Sequence, residues 1–272
     1  MSNPKILVIG DIMVDRYHIG TVTRLSAEAP IPIVKIVETK SYMGGAGNVV
    51  ENLLTLGAEV KLPGFVPGMA VPVKNRLMVG DTQVARWDEA DEVQPIPLEA
   101  IDQAVLHWTP DAVVISDYGK GAVTYEVNEV LADLKIPTFV DTKRSPKDFE
   151  VFSQVVFFPN QKEYAEYQRE YDSLSGTFGM VVLKRGALGI QEIFDGQVMK
   201  TYPAWAERVI SVCGAGDSVI AAYVYAMGRA MSDPLAFANA AAAVAVGKPG
   251  TSTATVKEIN EILEKVKTPT TV

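Results

Sequence analysis

The chain has 272 residues, 48% hydrophobic and 21% charged, with a formal net charge of −8. That length fits one large domain or two small ones, and the composition is that of a globular protein able to bury a substantial core. The acidic balance argues against a nucleic-acid partner, whose binder carries a basic footprint, and the single cysteine, Cys213, excludes a disulfide framework or a thiolate zinc cluster. His18 and His107 stand far apart and read as surface or core residues. Met1–Lys5 is polar, and apolar runs such as Leu235–Val246 fall short of the roughly 18–20 residues of a membrane span. The expectation is a cytoplasmic protein with no membrane partner.

Ile6–Gly10 is a continuous apolar run ending in glycine, the pattern of a strand buried on both faces. Similar runs recur at Ala112–Ser116, Thr138–Asp141, Val155–Phe158 and Val181–Lys184. Helical patterns lie between most of them, at Gly45–Leu56, Leu98–Trp108, Tyr125–Leu134 and Gln161–Glu170. This alternation predicts an α/β fold, a mainly parallel sheet flanked by helices. Thr21–Lys40, with alternating and β-branched residues, breaks the rhythm, as does Val71–Trp87, with a hairpin signal at Gly80-Asp81. Both read as a small β-sheet appended to the main domain. The C-terminal third is helical, with Gly214–Arg229, Pro234–Val246 and a last helix opened by the capping-box spacing Thr255–Glu258.

Four segments carry chemistry. Gly214-Ala215-Gly216-Asp217 opens a helix, where free N–H groups and the helix dipole favour an anion. A carboxylate beside such an anion site has a use if it takes a proton from an attacking hydroxyl. A tight turn with a capping Asp fits the same four residues equally well. Gly44-Gly45-Ala46-Gly47-Asn48 allows close backbone approach, and the Asn48 amide can both donate to and accept from a sugar hydroxyl. Its spacing is not a dinucleotide fingerprint, which argues against a Rossmann oxidoreductase. Asn160 and Glu163 lie on one face of a helix start, where they suit a hydrated Mg²⁺ or a reciprocal cap. Asp11 and Asp15 follow a parallel strand at its C-terminal end, where α/β sheets bind ligands.

The order of these segments resembles the ribokinase-like pfkB carbohydrate kinases. Gly44–Asn48 is similar to the family's first glycine signature, Ser211–Val224 to its second and Asn160–Glu163 to its magnesium motif. Within the family the chain resembles bacterial D-glycero-β-D-manno-heptose-7-phosphate kinases, through the strings at 10–17, 24–35, 116–121 and 237–253. The resemblance runs from Lys5 to about Leu263. It implies one ribokinase-like kinase domain over 1–272, with lid segments at about 12–40 and 71–90, using ATP and Mg²⁺. Asp217 is then the base, and the Gly214, Ala215 and Gly216 amides stabilise the transferred phosphoryl group. Asp11, Asp15, Gly44, Gly45, Asn48 and Asp117 line the sugar pocket, and Lys74, Arg76 or Arg86 meets a phosphate already on the sugar. Asn160, Lys184, Gly186, Gly189, Asn239 and Gly247 surround the nucleotide, and Asn160 and Glu163 hold Mg²⁺ through water. The implied partners are a small sugar or sugar phosphate and a second copy of the chain joined through the lid.

The chain departs from that pattern in several places. A strand–helix unit is missing between Gly64 and Val73, with Pro67 where the family has glycine. The 164–180 segment is short. Val50 replaces a small residue, and Ser211 and Cys213 stand where Asp and Thr are usual. Kinase activity on another sugar, or a pseudokinase acting through partners, are the competing readings.

Overall fold

The computed structural model describes residues 3–65, 68–90, 92–174 and 179–267. Pro67 and the tail after Lys267 therefore lie outside the described residues. Among the described residues twelve strands and eight helices are formed. The strands are β1 Lys5–Gly10, β2 Ile12–Leu25, β3 Pro32–Gly45, β4 Glu59–Lys61, β5 Val73–Val79, β6 Thr82–Glu89, β7 Ala112–Asp117, β8 Thr138–Thr142, β9 Val155–Phe157, β10 Gly179–Lys184, β11 Ile190–Phe194 and β12 Gln197–Tyr202. The helices are α1 Ala46–Leu56, α2 Leu98–Val105, α3 Tyr125–Ala132, α4 Gln161–Glu166, α5 Gln168–Leu174, α6 Ala215–Gly228, α7 Pro234–Val246 and α8 Val256–Lys267.

Eight strands make one sheet in the order β12-β11-β10-β9-β8-β7-β1-β4. It is parallel from β4 to β10, and the β11–β12 hairpin continues it antiparallel. The apolar runs are continuous because alternate residues serve two cores. Ile6 and Val8 point into a core shared with α1, α6, α7 and α8, while Leu7 and Ile9 point into one shared with α2, α3 and α5. Alanines such as Ala221, Ala222, Ala238 and Ala241 are buried on α6 and α7, which lets those helices pack closely.

The remaining strands form a second sheet, ordered β3-β2-β5-β6. β2 and β3 are a long antiparallel hairpin, β5 and β6 a short one, and β2 pairs with β5 in parallel. The small sheet thus spans more chain than the Thr21–Lys40 pattern predicts, because β2 starts directly after Asp11 and β3 runs into α1. The predicted helix 161–170 is two helices, broken at Tyr167, whose backbone leaves the helical region (φ −117°, ψ 26°). β4, β11 and β12 are additions to the predicted elements. Among the described residues no helix is long and apolar enough to cross a membrane.

α1 is tied to the large sheet through Leu53, which is fully enclosed. Leu53→Ala should lower the unfolding free energy by about 2–5 kcal/mol in a urea titration. A loss under about 1 kcal/mol would show that this helix is not locked to the core.

Candidate active site

Three segments converge on Asp217. It is the third residue of α6, whose first amides have no helical carbonyl to donate to. Gly214 precedes the helix at φ 75°, and a Cβ there would lie 2.4 Å from Asn48 Nδ2, so glycine is needed for α6 to approach α1 this closely. Asn48 is fully enclosed and donates from Nδ2 to Asp217 Oδ2 at 2.7 Å. Its own Oδ1 accepts from Asn52 Nδ2 at 3.1 Å, which fixes the amide's orientation. The Tyr118 hydroxyl donates to Asp217 Oδ1 at 3.0 Å.

The Asp217 carboxyl is 4% exposed, and burial is the main force raising its pKa. The Asp141 charge adds to the rise, whereas the Asn48 and Tyr118 donors and the Lys184 ammonium oppose it, leaving Asp217 at about 6. The neighbouring Asp217 charge, then burial, push the Tyr118 phenol well up, so it stays a hydrogen donor.

Asp11 stands behind this arrangement. It is fully enclosed, and its carboxylate accepts from the amides of Tyr118 (2.7 Å), Lys120 (3.1 Å) and Ala122 (3.1 Å). Asp117 is equally enclosed, accepting from Thr142 Oγ1 (2.8 Å), Arg144 Nε (2.7 Å) and the Gly119 amide (3.0 Å). Each carboxylate accepts three bonds from loop backbone and side chains, and together they shape the loop that carries Tyr118.

A cavity of about 540 Å³ opens beside Asp217. Its polar end carries Gly214, Ala215, Gly216, Asn160, Lys184, Asp141, Lys143 and Tyr118. Its other end is apolar, with Ile190, Trp205, Val209 and Val246, and includes Gly186, Gly189 and Asn239. Asn239 spends its side-chain amide on the Pro203 carbonyl at 2.8 Å and so braces the cavity wall. Gly247 is not on that wall: it ends α7, donating its amide to the Val244 carbonyl at 3.2 Å. Asn160 and Glu163 form the reciprocal cap, with Asn160 N to Glu163 Oε2 at 2.8 Å and Glu163 N to Asn160 Oδ1 at 3.0 Å. Glu163 also pairs with Lys143, and Asp141 pairs with Lys184. Asp141 Oδ1 is buried with no hydrogen-bond partner among the described residues.

The small sheet presents one charged face. Residues paired directly across strands share a face, and the pairs Asp15–Lys74, Tyr17–Arg76, Arg76–Arg86 and Lys74–Asp88 collect Asp15, Lys74, Arg76 and Arg86 there. Arg76 forms an ion pair with Asp15, and Arg86 makes two bonds to Asp88 at 2.9 and 2.7 Å. Lys74 Nζ lies 5.3 Å over the Tyr118 ring, which links this face to Asp217. Burial holds the Lys74 ammonium below the usual lysine range. Gly44 lies against Asp15, since a Cβ there would meet Asp15 Oδ2 at 2.7 Å.

Of the predicted site residues, Gly214, Ala215, Gly216, Asp217, Asn160, Lys184, Gly186, Gly189 and Asn239 meet at the cavity. Asp141, Lys143 and Tyr118 also line it, although sequence reasoning did not single them out. A usable signal existed for Asp141, which ends the predicted strand Thr138–Asp141.

A family model described as pfkB family carbohydrate kinase matches residues 146–258. The bifunctional protein HldE of a Nitratiruptor species is 33% identical over 314 residues, covering 98% of this chain and 67% of that protein. The HldE protein of Granulibacter bethesdensis is 33% identical over 324 residues, covering 97% and 66%. The chain thus spans about two thirds of the length of the curated relatives it matches. Arabidopsis thaliana ribokinase complexed with ribose and ATP superposes with a TM-score of 0.74 at 16% identity, covering 97% of this chain and 99% of that one. Phosphofructokinase-2 from Escherichia coli gives 0.75 at 15% identity, covering 98% and 100%. The fold is therefore ribokinase-like.

Gly214→Ala should force Asn48 off the Asp217 carboxylate. Because that donor lowers the pKa, the Asp217 midpoint should move above about 6, measurable by ¹³C NMR of labelled aspartate. An unmoved midpoint would show that Gly214 does not set this contact.

Proposed function

This chain belongs to the pfkB family of carbohydrate kinases, a phosphotransferase acting on a sugar hydroxyl, and from that premise we propose that it phosphorylates D-glycero-β-D-manno-heptose 7-phosphate at the anomeric hydroxyl, with ATP as donor, giving the 1,7-bisphosphate. The observation that carries the chemistry is one buried carboxylate, Asp217, beside the first turn of α6 at the mouth of the cavity. The choice of sugar is supported by the HldE relatives and by the cationic face of the small sheet.

In the proposed step Asp217 takes the proton of the anomeric hydroxyl as its oxygen attacks the γ-phosphorus. The new oxygen–phosphorus bond forms, the bond to the β-phosphate oxygen breaks, and ADP leaves. The Gly214, Ala215 and Gly216 amides would meet the phosphoryl oxygens as charge shifts among them, Ala215 giving up its long 3.4 Å bond to the Val212 carbonyl. The Lys184 ammonium lies at the same end, and the apolar end, with Trp205 and Val246, suits a flat base. Asn48 keeps Asp217 oriented through Oδ2, and the acceptor hydroxyl replaces the Tyr118 hydroxyl at Oδ1.

The buried Asp141 Oδ1, which accepts no hydrogen bond among the described residues, fits a hard cation, and Mg²⁺ would be held there by Asp141 with Asn160 and Glu163. When bound, Mg²⁺ neutralises phosphate oxygens and favours departure of ADP. The cations on the small sheet would receive the 7-phosphate. Exposed Leu25, Val37 and Trp87 on that sheet, with Ile31 in the turn of its long hairpin, support a homodimer formed through it.

Asp217→Asn should cut turnover at least about 10²-fold while leaving ATP binding nearly intact. For the unaltered enzyme, the base works ionised, so kcat/KM should be level above about pH 6 and fall tenfold per pH unit below it. Near-normal turnover in D217N, or no break near that pH, would remove Asp217 from this role.

Replacing the true phosphate anchor among Lys74, Arg76 and Arg86 by Ala should raise KM for the heptose phosphate by at least about tenfold and leave KM for ATP within about twofold. A coupled ADP-release assay over sugars and sugar phosphates reads this directly. If no single variant shows the selectivity, or a neutral sugar is preferred, the heptose-phosphate reading fails.

A further inference from the structure

Two carboxylates, Asp141 on the cavity wall and Glu163 at the start of α4, each have one oxygen committed and one turned toward a shared ammonium. Asp141 Oδ2 pairs with Lys184, and Glu163 Oε2 accepts the Asn160 amide at 2.8 Å. The remaining oxygens, Glu163 Oε1 and Asp141 Oδ1, are those nearest Lys143 Nζ, which pairs with the first and stands 3.8 Å from the second. Asp141 is 5% exposed, yet no donor among the described residues reaches its Oδ1. A buried carboxylate oxygen in that state is under-served. A single positive charge therefore stands where a hard dication would interact more strongly with both carboxylates.

We propose that Lys143 is an exchangeable resident cation: together with Lys184 it neutralises the Asp141–Glu163 pair when no metal is bound, yields its place to a divalent cation, and then meets the phosphoryl group in transfer. Its side chain is 36% exposed, so it has room to swing. Its Nζ lies 5.3 Å over the ring of Tyr118, whose hydroxyl touches Asp217, so a short swing keeps the ammonium beside the base. The exchange breaks no covalent bond; one cation replaces another between two fixed carboxylates. The half concerning metal exchange is independent of the kinase reading, whereas the phosphoryl contact rests on it.

The test titrates Mn²⁺ into the full chain without nucleotide, following free Mn²⁺ by electron paramagnetic resonance. Lys143→Met should bind Mn²⁺ at least about tenfold more tightly than the unaltered protein, because the competing ammonium is gone. Lys143→Arg, which keeps a cation, should stay within about threefold, and Glu163→Gln should weaken Mn²⁺ binding in either background. Equal Mn²⁺ affinity for the unaltered protein and K143M, or binding by neither, overturns the exchange. In the kinase assay K143M should lose at least about 30-fold in kcat, and an unchanged kcat overturns the phosphoryl contact. Failure of the kinase reading would look different: the unaltered protein itself would turn over no sugar.

Discussion

Burying a carboxylate is the constraint around which this molecule is organised. Asp217, 4% exposed, loses most of its water, and that loss is tolerable only if fixed donors replace it. The donors come from distant parts of the chain: Asn48 is 169 residues away and Tyr118 is 99. Holding both on one carboxylate fixes α1, the loop after β7 and the start of α6 relative to one another. The partial compensation also leaves Asp217 near the middle of the physiological range, where a base can both hold and release a proton.

A second enclosed carboxylate supports the first. Asp11 sits at the end of β1 and gathers three amides from the loop that carries Tyr118. Asp117 fastens the same loop to Thr142, the last residue of the neighbouring strand, and to Arg144 just beyond it. The C-terminal ends of adjacent parallel strands thus supply a graded set of acids. Asp11 and Asp117 gather loop donors, while Asp141 faces the cavity beside Asp217 of α6. Location at a strand end gives Asp11, Asp117 and Asp141 the same sequence signature, so only the count of donors around each separates the roles.

That explains what was readable beforehand. The core strands were legible because burial on both faces leaves an unbroken apolar run, and the glycine turn at 214–217 because close helix approach demands glycine. β4, β11 and β12 were not legible. They are edge or hairpin strands of partly exposed character, with too little apolar continuity to stand out. Lys143 and Tyr118 were hidden for another reason. A lysine after a strand and a tyrosine before a glycine are ordinary surface residues until tertiary contacts bring Glu163 and Asp217 beside them. The anchoring role of Asp11 was hidden too, because the strand-end position that suggests a ligand contact is equally suited to holding a loop.

The junction between the two sheets has a mechanical consequence. β2 leaves the large sheet at Asp11 and β3 returns at Ala46, and these two points are joined by one bond, from the Ala46 amide to the Asp11 carbonyl at 3.0 Å. Gly45, at φ 58°, makes the corner beside it, and a Cβ there would lie 2.2 Å from the Asp11 carbonyl. The Thr251 hydroxyl donates to the Met43 carbonyl at 3.2 Å, so the root of the long hairpin is gripped by two parts of the large domain. The corner is therefore a braced joint, and Asn48, three residues beyond it, takes its position from that brace.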